Sequence, residues 1–234
     1  MKKIALSLAL LSSLVLADDK LEAKAELGYT KTSGNTDTSA LNFNAKAKQT
    51  WDPHFLSAEA DAQYSKTDND ETANRWMLEL QYGYNYTEDL AFGYLVGYKK
   101  DKFSGYKHQF YTGPMAQYKV WATEKSNLDV ELALLYAKDK LDNGVKEDYM
   151  SYRTRAVFDY KLLETLKFEE DFSHRGSFED ANNYFITSKT SLVNRVTEMV
   201  SAALSYRVDY ANIVPADKLK TDKTLMLNLI FNYN

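Results

Sequence analysis

The sequence predicts an all-β chain, a transmembrane antiparallel up-and-down β-barrel of about 12 strands. Three observations predict it. Apolar and polar residues alternate with period two in segment after segment. Tyrosine is abundant, with 18 copies beside 11 Phe and 3 Trp, and its ring with a wet hydroxyl suits both strands and the headgroup zone. Beyond residue 17 no apolar run approaches the roughly 20 residues of a spanning helix, so a membrane assignment requires a barrel.

The alternation is clearest over 76–86. Trp76, Leu78, Leu80, Tyr82, Tyr84 and Tyr86 share one parity, and Met77, Glu79, Gln81, Gly83 and Asn85 the other. Successive strand residues point to opposite faces, which gives one apolar and one mostly polar face. Leu90, Phe92, Tyr94, Val96 and Tyr98 repeat the pattern, as do Leu128, Val130, Leu132, Leu134 and Tyr136. Val200, Ala202, Leu204, Tyr206, Val208 and Tyr210 follow, then Leu225, Leu227, Leu229, Phe231 and Tyr233. The segments 21–29 and 41–47 alternate with Ala on much of the apolar face. Glu170 interrupts the apolar parity of Leu166, Phe168 and Phe172, and Ser188 and Thr190 interrupt that of Tyr184 and Ile186; both stretches suggest a shifted register or a place partly outside the bilayer. The predicted strands are 21–31, 38–50, 54–66, 75–87, 90–101, 110–121, 127–138, 149–161, 165–175, 183–196, 198–211 and 222–233.

The connections suggest an orientation. Those at 51–53, 88–89, 122–126, 162–164 and 197 are short. Those at 33–37, 67–74, 102–109, 140–148, 176–182 and 212–221 are mostly longer and more polar. Short turns on one rim and longer loops on the other match periplasmic turns and extracellular loops. A soluble sandwich also alternates, but these strands are long for one. Aromatics also gather near strand ends, at Tyr29, Tyr64, Tyr86, Trp121, Tyr160 and Tyr233 among others, as girdles would.

Composition narrows the function. The chain has 234 residues, 44% of them hydrophobic, and a mean hydropathy of −0.50, too polar for a helical membrane protein. There is no cysteine, hence no disulfide and no thiolate chemistry. The net charge of −4 is scattered without a basic tract, which argues against nucleic acid as a partner. Lys2 and Lys3, the apolar stretch 4–16, and Val15 and Ala17 read as a signal peptide over 1–17, with a barrel domain over 18–234. The expected location is the outer membrane of a Gram-negative bacterium after cleavage near Ala17. The expected partners are outer-membrane lipids and the barrel-assembly machinery.

The segment Gly28-Tyr29-Thr30-Lys31-Thr32-Ser33-Gly34-Asn35-Thr36-Asp37-Thr38 resembles the opening of the salt-induced outer-membrane protein family, which is built on a domain of unknown function. The motif Ser33-Gly34-Asn35-Thr36, followed by a strand over 41–48, carries the resemblance. It implies an outer-membrane location and supplies no activity. Gly-Asn also serves as plain hairpin-turn chemistry. Barrels of this kind end in an aromatic, whereas here Asn234 follows Tyr233.

The polar face holds the candidate site. Glu59, Asp61, Glu79, Asp129, Glu131, Arg153, Arg155, Arg207 and Asp209 are the candidate lumen-lining residues. Segregated signs would line a selective pore, and mutual neutralisation across neighbouring strands would make a polar plug. A small passive channel for ions or small solutes is the first functional expectation. A non-conducting structural or salt-stress barrel is the alternative. A lipid hydrolase rests only on His174 and Ser177, whose spacing and surroundings differ from those of outer-membrane phospholipases. The acidic stretches Asp68-Asn69-Asp70-Glu71 and Asp142, Asn143, Glu147, Asp148 lack the spacing of a calcium loop and read as solvated loops. No catalytic residue, metal or cofactor is indicated.

Overall fold

The computed structural model describes residues 20–32, 37–214 and 219–233. These form twelve strands: β1 Lys20–Thr32, β2 Thr38–Trp51, β3 His54–Thr67, β4 Asp70–Asn85, β5 Leu90–Asp101, β6 Tyr106–Ala122, β7 Ser126–Leu141, β8 Lys146–Lys161, β9 Leu166–Ser177, β10 Tyr184–Arg195, β11 Val200–Ala211 and β12 Thr221–Tyr233. Each pairs antiparallel with its sequence neighbours, and β12 returns to β1 from Ala23↔Tyr233 to Gly28↔Asn228. The sheet is therefore a closed barrel with no free edge. The signal-peptide stretch, the Ser33–Thr36 motif and Asn234 lie outside the described residues.

The parities sort as the sequence predicts. Trp76, Leu78, Leu80, Tyr82 and Tyr84 are exposed on the outside, while Arg75, Glu79 and Gln81 are buried within. Phe92, Tyr94, Leu132, Leu134, Leu225 and Leu227 likewise face out. Glu170, Ser188 and Thr190 keep the same register rather than shifting it. Glu170 stands on the outer wall and accepts hydrogen bonds from Ser188 at 2.7 Å and Thr190 at 2.5 Å on its neighbour β10.

The interior is less uniformly polar than the alternation suggests. Phe55, Leu95, Met115, Ala133, Leu135 and Ala137 pack as an apolar strip on the inner wall with Tyr111 and Tyr149. Two glycines make room for rings. A side chain at Gly83 would meet the Phe55 ring at 2.2 Å, and one at Gly97 would meet the Tyr111 ring at 2.1 Å. Each ring belongs to the directly paired residue on the next strand, so a bare backbone lets it lie flat against the sheet.

The connections differ from expectation on one rim. The 67–74 loop shrinks to a turn at Asp68 and Asn69, both with positive φ (50° and 70°), which short polar side chains tolerate best after glycine. The 102–109 and 140–148 loops shrink to 102–105 and 142–145. Charged, polar stretches that read as loops are strand ends rising above the apolar belt, where water satisfies their side chains. The contrast in loop length is thus modest. It persists at 178–183 and 212–220, opposite turns as short as 52–53 and 123–125.

Candidate functional site: the charged interior

The inward faces of β1–β4 and β7–β11 bring opposite charges together across the barrel. Arg153 on β8 reaches Glu131 on adjacent β7 at 2.6 Å and Glu79 on distant β4 at 2.5 Å. Gln81 donates to both carboxylates, at 2.8 Å to Glu79 and 3.0 Å to Glu131, and the Tyr111 hydroxyl donates to Glu79 at 2.9 Å. Two residues along the same face, Arg155 donates to Asp171 on β9 at 2.6 Å and to Glu59 on β3 at 3.0 Å. Lys46 on β2 completes this cluster, 3.1 Å from Asp171 and 3.4 Å from Glu59.

A second cluster joins β11 to β3 and β4. Arg207 donates to Asp61 at 3.0 Å and to Asp209 at 2.8 Å, and Arg75 meets Asp209 at 2.5 Å. A third braces β1: Lys189 on β10 meets Glu26 at 2.7 Å, and Lys24 meets Glu169 on β9 at 3.1 Å. Most of these pairs, such as Arg153–Glu79, Arg155–Glu59, Arg207–Asp61 and Lys189–Glu26, join strands that are not neighbours in the sheet, so their side chains cross the interior. Lining up so many short charge-assisted bonds answers the cost of taking the charges out of water.

Cavities lie beside and within this layer. One of about 590 Å³ opens toward the rim that carries both described chain ends, and its walls include Glu22, Lys48, Lys119, Asp129 and Asn232. A smaller one of about 160 Å³ lies within the charged layer. The two share Lys46, Glu59, Glu79 and Arg155 in their linings. Toward the other rim the interior tightens. The Arg175 guanidinium lies 4.6 Å from the Phe185 ring and 5.2 Å from the Tyr111 ring. Asp139 accepts hydrogen bonds from Tyr149 at 2.8 Å and Gln109 at 3.0 Å. The Tyr106 hydroxyl donates to the Ile213 carbonyl at 3.4 Å.

Eight of the nine residues singled out from sequence therefore meet in ion pairs. Asp129 does not: it stands exposed in the larger cavity, with no ion pair among the described residues. Neutralisation also runs across the barrel as well as between neighbouring strands, because each arginine is long enough to hold one partner at the wall and one beyond it. Sequence reading missed Asp171, Arg75 and Lys46 as partners, and Tyr111, Gln109 and Asp139 as the packing above them. Alternation tells which face a residue takes, and it does not tell which distant strand lies opposite.

His174 and Ser177 do not form a catalytic pair. The His174 ring stacks on Tyr184 and lies tilted against Tyr152 on the outer wall, while Ser177 is buried on the opposite parity and accepts the Glu179 and Asp180 amides. His108, expected in a loop, is part of β6 and stacks on Tyr98. Glu71 of the acidic stretch bonds to Lys102 instead of facing an open loop. Among the described residues no cluster of His, Asp or Glu is arranged to hold a metal ion.

Comparison with known proteins fits this architecture. The model of the family described as "Protein of unknown function, DUF481" matches residues 25–233. The chain belongs to the DUF481 family. The match spans β1 to β12 almost entirely, so the DUF481 unit is the barrel itself. No curated protein sequence matches the chain. Among solved structures, the NanC porin is similar at a TM-score of 0.56 and 10% identity, with 92% of this chain and all of that one covered. An outer membrane channel from Pseudomonas putida F1 is similar at a TM-score of 0.55 and 11% identity, with 94% of this chain and 97% of that one covered. At such identity the likeness is one of fold.

Proposed function

We propose that this barrel sits in the outer membrane of a Gram-negative bacterium and acts as a narrow passive channel for ions or small solutes. The observation that carries this reading is the interior: an open cavity of about 590 Å³ that shares lining residues with a smaller cavity inside the charged layer. The apolar outer wall supports the location, since it would be costly in water and matches a lipid-facing belt. The solved structures of the same fold include a porin and an outer membrane channel, which agrees with it. In this reading the Arg153 and Arg155 clusters are the constriction, and a solute passes by exchanging its water for their charges.

Planar-bilayer conductance of the refolded chain tests the proposal, with heat-shifted gel mobility as the folding control. Reproducible steps are expected, and Arg155→Ala, which removes the bridge from Glu59 to Asp171, should raise unit conductance about twofold or more. Silence from well-folded parent and variant would overturn the channel.

One observation favours a second reading, a non-conducting barrel with a structural or salt-stress role. The charged layer is tied from wall to wall, and the Tyr106, Arg175 and Phe185 layer packs above it. That reading predicts a silent barrel and a deletion phenotype limited to osmotic or envelope stress.

A further inference from the structure

Four strands that run toward the rim of the 33–37 connection end in the same outward pair. They are Tyr29 and Lys31 on β1, Tyr64 and Lys66 on β3, Tyr98 and Lys100 on β5, and Tyr136 and Lys138 on β7. A spacing of two keeps ring and ammonium on one face, the outer one. Tyr29, Tyr64 and Tyr136 are exposed there, and Tyr98 stacks on the exposed Trp76. The Lys66 ammonium lies 5.6 Å from the Tyr64 ring centroid, and that of Lys138 lies 5.4 Å from the Tyr136 ring centroid.

The charge is concentrated between β5 and β6. There Lys100, Lys102 and Lys107 line an outward concavity of about 330 Å³ with Asn74, Trp76 and Asp142. Acids temper part of the arc: Lys102 bonds to Glu71, and Lys138 is 3.9 Å from Asp148. Lys31, Lys66, Lys100 and Lys107 have no ion pair among the described residues. The opposite rim has the aromatics without the outward Tyr-x-Lys pair. Tyr84, Tyr86, Trp121, Tyr160 and Tyr233 are exposed there, while Lys24, Lys48, Lys119 and Lys167 near that rim turn inward. Lys20, Lys125 and Lys161 are exposed at that rim, and none of them stands two residues beyond an outward tyrosine.

An aromatic belt marks the level of the headgroups, and a lysine one step beyond it lays its stem along the wall and its ammonium among the phosphates. We propose that the arc Lys31, Lys66, Lys100, Lys107 and Lys138 is a docking surface for phosphorylated glycolipid headgroups of the outer leaflet, with the Lys100–Lys107 concavity seating one phosphate. The proposal rests on the outer-membrane reading above, with the rim of the longer connections facing outward.

Native mass spectrometry of the refolded full chain in detergent tests it, with bisphosphorylated lipid A, dephosphorylated lipid A and inorganic phosphate as probes. Bisphosphorylated lipid A should bind, and Lys100→Gln with Lys107→Gln should weaken it about fivefold for each charge removed. Lys125→Gln on the opposite rim should leave binding unchanged. Equal binding of dephosphorylated lipid A, or undiminished binding by the Lys31, Lys66, Lys100 and Lys138 to Gln variant, would overturn the proposal. Displacement of the lipid by millimolar inorganic phosphate would overturn it too, in favour of a free-phosphate site. Insertion into bilayers, read by heat-shifted mobility, separates the two levels: a chain that inserts but ignores the lipid refutes only this inference, and one that never inserts refutes the membrane reading as well.

Discussion

Arg153 holds two carboxylates from two strands that do not touch each other. Its side chain is 8% exposed, and those of Glu79 and Glu131 are 4% and 7% exposed. Removing the guanidinium alone would leave two buried carboxylates with only the neutral donors Gln81, Tyr111 and Gln117. Arg153→Met should therefore destabilise the barrel by about 3–5 kcal/mol. Replacing all three together, with Glu79→Gln and Glu131→Gln added, should recover most of that loss, because no charge is then left buried. Urea unfolding of the protein refolded in lipid measures both. Equal destabilisation by the single and triple variants would mean that shape rather than charge holds this layer.

The strands owe their form to a period of two and to a few positions where neighbours interlock. That period was legible: every strand was anticipated, and the faces of Glu79, Leu80, Tyr94 and Arg207 were read correctly from parity alone. Strand ends were not legible at 70–74 and 106–109, because polar side chains look alike in a loop and on a strand that extends beyond the apolar belt. Neither were the cross-barrel partners, which depend on closure and tilt and so on the whole sheet. The pairing of Gly97 with the Tyr111 ring belongs to this scale. A branched side chain at 97 would displace the ring that donates to Glu79. Gly97→Val should cost about 1–3 kcal/mol as overpacking, and Gly97→Val with Tyr111→Ala should cost less than the sum of the two single changes. Strict additivity in the same unfolding assay would show that ring and glycine do not interlock.

Closure of the barrel rests on its narrowest seam. β1 pairs with β2 from Lys20↔Thr50 to Thr32↔Thr38, but with β12 only from Ala23↔Tyr233 to Gly28↔Asn228. Fewer ladder bonds leave less to lose on opening, so local unfolding should begin there. The interior charges counter this from behind. Glu26 on β1 takes Lys189 from β10 at 2.7 Å, lies 3.2 Å from Lys24, and accepts from the Asn228 amide on β12 at 3.3 Å. One buried carboxylate thus ties the first strand to the last and to the wall beyond. Glu26→Ala leaves Lys189 without its partner and removes the tie to Asn228, at a cost of about 3 kcal/mol. If the loss is confined to the seam, hydrogen exchange should accelerate at the amides of residues 25–28 and 228–231 and stay unchanged in β6 and β7. Uniform acceleration around the barrel would mean that the sheet opens as one unit and that the interior charges stabilise the barrel globally instead of guarding its seam.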